Sequence, residues 1–170
     1  MGGYALQKLM ERQPEQLAGV VLMASATQRG VWGITLKLLR TQPVEFLLAN
    51  LTLNLYRLLR SPDKARRLFH APDISEKSLQ RHWARLNNES FRAFLEMLLI
   101  PIRPHKADPS LPKLILGGEQ DAVFPVNIIQ TNASQYSTEA KIYPGMPHNL
   151  MQHANWQQVA DDICAWLKRL

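Results

Sequence analysis

Leu114-Ile115-Leu116-Gly117-Gly118-Glu119-Gln120-Asp121-Ala122-Val123-Phe124-Pro125 is the stretch on which the fold of this 170-residue chain turns. Its first three residues are a short continuous apolar run, which suits a strand buried on both faces. Gly117 and Gly118 are expected to stop that strand. A polar loop follows and offers one carboxylate, Asp121. Pro125 then reads as the first residue of a helix, where its missing N–H costs nothing. Open α/β sheets place their chemistry in loops at the carboxyl ends of parallel strands. Taken alone, Asp121 is equally well a solvated turn carboxylate, because loops are polar by default.

A second stretch, Pro144-Gly145-Met146-Pro147-His148-Asn149, follows the next candidate strand and sets His148 in a loop. The two loops stand 27 residues apart, room for one helix and one strand. Asp then His, each just past a strand, is the second half of a Ser…Asp…His order.

Outward from these loops the chain alternates. Strands are expected at 17–24, 113–117 and 139–143, with helices at 4–13, 126–136 and 155–169. Leu17 to Ala24 is short and β-branched at its centre, which favours strand over helix. In the closing helix Val159, Ile163, Trp166, Leu167 and Leu170 share one face. Cys164 falls in that apolar pattern and reads as core packing. This succession is the α/β pattern with right-handed crossovers.

Residues 29–103 differ in kind. They contain no clear strand and read as short helices near 31–40, 44–59, 62–70, 75–86 and 89–100. Ser61-Pro62 is a cap followed by a proline at the first helical position. Ser75 and Asn88 are the expected caps of the next two helices. Phe46 to Leu59 is apolar around most of its circumference, so it should be buried or face something greasy. An all-helical insertion between two sheet strands reads as a lid over the strand ends. Trp32, Phe46, Tyr56 and Trp83 are expected in its interior.

The hydrophobic fraction of 46% is that of an ordinary globular domain, and one cysteine excludes an internal disulfide. Met1 to Tyr4 has neither a basic region nor an apolar run behind it, so no leader is expected and the expected location is the cytoplasm. The net charge of +6 is uneven. Residues 29–106 hold 14 Lys and Arg against 6 Asp and Glu, and the flanks hold 6 against 8. Such a segment attracts anionic substrates, membranes or nucleic acid, or is simply a solvated helical surface.

With these residues in place, the chain resembles the C-terminal part of an α/β-hydrolase fold protein, from Met1 to Leu170 but over only the second half of that fold. The resemblance implies three parallel strands with flanking helices, a core at 1–28 and 104–170, and a helical cap at 29–103. Gly118-Glu119-Gln120-Asp121 with Pro125 is similar to the family's acid loop, and Pro144-Gly145-Met146-Pro147-His148 to its histidine loop. Asp121 and His148 would therefore be the catalytic acid and base. The family's nucleophile sits in a G-x-S-x-G elbow. In many members the elbow runs on as Ser-Met-Gly-Gly, and the opening Met1-Gly2-Gly3 resembles it just past the nucleophile. Met1 would then supply a backbone oxyanion donor, Gly2 and Gly3 would be the close-packing elbow glycines, and the nucleophile would lie outside this sequence. Branches with an aspartate nucleophile carry a tryptophan next, so Met1 points to serine.

The resemblance implies a serine hydrolase acting on a small-molecule carboxylic ester or related acyl substrate, with no cofactor and no metal. The alternative is a non-catalytic hydrolase remnant or interaction module. His148 and His153 are five apart in sequence, not the i, i+4 spacing of a helical zinc pair. Ser25 and Ser134 lack a glycine-flanked elbow. No nucleic-acid-binding motif accompanies the basic segment. Without a strand beyond it, the 17–24 strand would be an apolar sheet edge, and self-association through it is expected.

Overall fold

The computed structural model describes residues 1–170. It contains a three-stranded sheet in the order β1-β2-β3, with β1 Val20–Met23, β2 Lys113–Gly118 and β3 Ala140–Tyr143. Both pairings are parallel, with Leu22 opposite Ile115 and Gly118 opposite Tyr143. Side chains alternate across the strands. Val20, Leu22 and Ile115 therefore face one layer, packed with Met10 of α1 (Gly2–Met10) and Ile129 and Ala133 of α7 (Val126–Gln135). Leu116 and Tyr143 face the other, against Met146, Leu150 and Val159 of α8 (Trp156–Leu167). Helices on both faces of a parallel sheet make the three-layer α/β arrangement that the alternating pattern implies.

Between β1 and β2 the chain forms α2 (Trp32–Thr41), α3 (Pro43–Leu51), α4 (Pro62–Phe69), α5 (Glu76–Trp83) and α6 (Phe91–Leu99), with no strand among them. Ser61 and Ser75 cap α4 and α5 as expected, accepting from Lys64 N and Ser78 N. Tyr4, Ala26, Val31, Met97 and Ile102 join these helices to the sheet layers. No helix is long and apolar enough to cross a membrane.

Several local expectations are corrected. β2 runs through both glycines instead of stopping at them, because each is a point of close approach. A Cβ on Gly117 would meet Ile129, and one on Gly118 would collide with the carbonyl oxygens of Met146 and Pro147. β1 begins only at Val20, after Gly19 has passed beneath the Trp166 ring. Pro125 is the residue before α7 and not its first turn. Ser90 caps α6 through Ala93 N, while Asn88 accepts from Tyr56 N.

The single helix expected over 44–59 breaks after Leu51. Asn54 N–H donates to Ala49 O at 2.9 Å and Leu53 N–H to Asn50 O at 3.4 Å, with Leu53 at φ 51°. This is a Schellman ending with leucine where glycine is usual. Asn54 then caps a short 3-10 turn, Leu55–Leu59. Cys164 is exposed, not core, because only Val159 of α8 is fully buried and its stripe is narrower than the apolar pattern. Leu167 and Leu170 are exposed too, and so is Trp32, whose indole N–H donates to Leu98 O at 2.9 Å.

Candidate active site

Asp121 and His148 lie at the carboxyl ends of neighbouring strands. The Asp121 loop leaves β2 at Gly118, and the His148 loop leaves β3 at Tyr143. Backbone bonds sew the two loops together: Glu119 N–H donates to Tyr143 O at 3.0 Å, and Gln120 N–H to Met146 O at 2.9 Å. The Glu119 carboxylate adds a third tie, accepting from Gly145 N–H at 2.9 Å. The approach is so close that only glycine fits at position 118.

The Asp121 side chain is fully buried, so its carboxylate needs partners. Oδ1 accepts from Val123 N–H at 2.7 Å and Phe124 N–H at 2.8 Å. Oδ2 lies 2.9 Å from His148 Nδ1. With Asp121 ionised, Nδ1 carries the proton and donates it to Oδ2, which leaves Nε2 as the basic nitrogen. Nε2 has no hydrogen-bond partner in this chain and is not sealed from solvent. The imidazole packs against two tilted aromatic rings, Phe69 and Phe124, each centred 5.7 Å away. The result is an imidazole held at Nδ1 with its second ring nitrogen unpaired.

Phe69 is the residue that sequence reasoning missed. It ends α4, and its carbonyl accepts from Asn149 N–H at 3.0 Å, so the helical insertion is fastened directly to the histidine loop. No local signal marks a contact between residues so far apart. Next to it His70 stacks on His82 of α5, with ring centroids 5.2 Å apart. Burial pushes the His70 imidazole down to about 4, and the charges of His82 and Arg66 push the same way.

The opening residues reach the same end of the sheet. A Cβ on Gly3 would collide with Ser25, which follows β1 after a sharp turn with Ala24 at φ 46°. Gly2 by contrast meets nothing, so close packing falls on Gly3 alone. Buried Gln7 locks α1 in place, donating to Gly3 O at 3.1 Å and Ala26 O at 2.9 Å and accepting from Tyr136 at 3.1 Å. Met1 is partly exposed and lines a groove of about 440 Å³ with Tyr4, Lys8 and Glu96; none of its walls comes from the Asp121 or His148 loops. Ser25 Oγ donates to Met23 O at 3.3 Å and is not bonded to His148. Ser134 Oγ is spent within α7, on Gln130 O. No hydroxyl or thiol of the chain hydrogen-bonds His148.

The family model described as serine aminopeptidase, S33 matches residues 1–155. Among solved structures, a thermophilic esterase is similar with a TM-score of 0.61 at 18% identity, over 98% of this chain and 62% of its own. A candidate non-heme bromoperoxidase from Mycobacterium tuberculosis is similar with a TM-score of 0.62 at 17% identity, again over 98% and 62%. The chain thus spans 62% of the length of each, and both likenesses are likenesses of fold. No curated protein matches in sequence.

Proposed function

Because the chain belongs to the S33 serine aminopeptidase family of α/β-hydrolases, we propose that Asp121 and His148 are the acid and base of a serine hydrolase acting on a carboxylic ester or related acyl substrate. The observation that carries this reading is the 2.9 Å contact between buried Asp121 and a histidine whose other nitrogen is free. A serine hydroxyl is a poor nucleophile until a base takes its proton. His148 Nε2 would take that proton as the hydroxyl attacks the acyl carbon. It would return it to the leaving alcohol, then activate water for the second half of the reaction. Asp121 would hold the tautomer and stabilise the imidazolium without itself being protonated.

On this reading the serine is not one of these 170 residues. It would stand immediately before Met1-Gly2-Gly3, with the Met1 backbone N–H as an oxyanion donor, Gly2 and Gly3 as elbow glycines, and residues 29–103 as the cap. Support comes from location: Gly3 abuts Ser25 at the exit of β1, the end of the sheet from which Asp121 and His148 project. The family is named for peptide chemistry and one structural relative is an esterase; both reactions are acyl transfer, and the proposed substrate is the ester.

The test uses the reading frame extended upstream of the Met1 codon. If it encodes a G-x-S elbow, His148→Ala in the extended protein should lower kcat on a p-nitrophenyl ester by roughly 10⁴-fold or more. Asp121→Asn should lower it by about 10⁴. Near-parental turnover by the His148 variant would sink the assignment, and faster cleavage of an aminoacyl p-nitroanilide would move the substrate to amides. The 170-residue chain alone should stay unlabelled by a fluorophosphonate probe; stoichiometric labelling of one serine would put the nucleophile inside it. The unpartnered Nε2 also suits a second reading, a half-fold kept without catalysis. A stop codon directly upstream would favour that reading.

A further inference from the structure

The helical insertion leaves its most apolar surface in water. On α2, Trp32, Leu36 and Leu39 are exposed at i, i+4 and i+7. On α3, Val44, Leu47, Leu48 and Leu51 are exposed at i, i+3, i+4 and i+7, with Val44 at 65% and Leu51 at 71%. Each set is one face of its helix. A stripe at this spacing is what a helix normally turns inward, yet α3 buries only Ala49 fully. The face continues past the helix end. Leu53 is 59% exposed in a left-handed conformation that glycine adopts more cheaply. Exposed apolar area of this kind marks an interaction surface.

The charge around it narrows the choice of partner. Residues 29–60 contain Arg29, Lys37, Arg40, Arg57 and Arg60 but a single carboxylate, Glu45. Glu45 is already paired with Lys64 at 2.7 Å, and none of the five cations has a carboxylate partner. A second copy of this chain would bring the same cations against themselves. Nucleic acid would satisfy the cations but leave the leucines in water. A surface that offers both negative charge and hydrocarbon satisfies both.

We propose that α2 and α3 form a docking face for an anionic lipid surface, with Trp32, Leu36, Leu39, Val44, Leu47 and Leu51 entering the acyl boundary and Arg40 and Arg60 at the headgroups. This rests on the cap alone and is independent of any role for Asp121 and His148.

The test is co-sedimentation of the full chain with phosphatidylcholine vesicles, with and without phosphatidylserine. The chain should pellet with the anionic vesicles, weakly or not at all with the neutral ones, and progressively less as salt is raised. The double variant Leu47→Ser/Leu51→Ser should partition about tenfold less or lower still. Arg40→Gln/Arg60→Gln should lose roughly thirtyfold, about fivefold for each cation removed. Circular dichroism should show that both variants keep their helices, because all four side chains are exposed. The proposal is overturned if the chain ignores anionic vesicles. It is overturned also if the leucine variant binds as the parent does, or if light scattering shows a dimer that the leucine substitutions dissolve without any vesicle binding.

Discussion

In the sheet, Val20, Leu22, Ile115 and Leu116 are closed off from water, whereas in α2 and α3 Leu36, Leu39, Val44, Leu47 and Leu51 stand in it. Both regions are rich in aliphatic residues, so composition does not separate them. Layering does. β1 and β2 have helices against both faces, and an apolar side chain on either face finds a neighbour. In α2 and α3 only Thr35 and Ala49 are fully buried, with Ile34, Leu38 and Phe46 half-buried beside them, and the opposite faces carry the exposed leucines. The sheet is therefore where apolar contacts stabilise the fold, and α2 and α3 are where apolar side chains are left exposed.

Truncation at matched leucines breaks or confirms this contrast. Leu22→Ala removes a fully buried side chain between α1, α7 and β2 and should cost about 3 kcal/mol, within the usual ~2–5 for such a deletion. Leu51→Ser should change stability by less than about 0.5 kcal/mol. Urea midpoints of the two variants measure both; equal losses would show that the cap face is packed in solution. The sheet has one open flank of its own. Within these 170 residues β1 pairs only with β2, so its outer edge has no strand beside it, and we propose that copies of this chain taken alone associate through that edge. Light scattering over a dilution series should show oligomers that dissociate; a monomer at every concentration would mean the edge is blocked.

The joint between the regions is expected to respond to pH. His70 sits beside Phe69 and against His82, and burial pushes its imidazole down to about 4 from an ordinary 6.5. Burial lowers His82 as well, with Arg81 and Arg85 adding to it. Between those two His70 values the unfolded chain holds a proton that the folded chain does not, so stability rises with pH across that window. It should fall as the medium is acidified from 6.5 toward 4, by something on the order of 2 kcal/mol once solvent screening is allowed for. Above 6.5 the His70 slope fades as the unfolded imidazole also loses its proton. Urea titrations along this range should show a shallower slope for His70→Gln; an unchanged slope would place the acid sensitivity elsewhere.

What was legible in the sequence follows the same division. The apolar run Leu114–Leu116, the Asp121 loop and the His148 loop could be read because strand, turn and helix signals are local, and the two loops do meet. Phe69 could not be read as a neighbour of His148, because its contact closes a long loop and depends on how α4 docks. The break after Leu51 was hidden because leucine occupies a position where glycine would have announced it. Cys164 was misplaced because an apolar helical pattern does not reveal how wide a stripe its support covers. Trp32 was misplaced for the same reason on α2.

A small effect of opposite sign separates stability from surface most cleanly. Leu53 holds φ 51° at the end of α3, where its N–H and that of Asn54 close the helix. A left-handed conformation costs an L-residue with a Cβ roughly 1–2 kcal/mol. Glycine there avoids that cost but loses more chain entropy on folding, about 0.5–1 kcal/mol. The leucine side chain is exposed, so little buried area is lost on its removal. Leu53→Gly should therefore stabilise the chain by about 0.5–1 kcal/mol net, read as a higher urea midpoint at unchanged slope. The same substitution removes apolar surface from the cap and should weaken vesicle binding. A lower midpoint would mean that the Leu53 side chain is packed, and that the cap face is not the open surface that its neighbours on α3 describe.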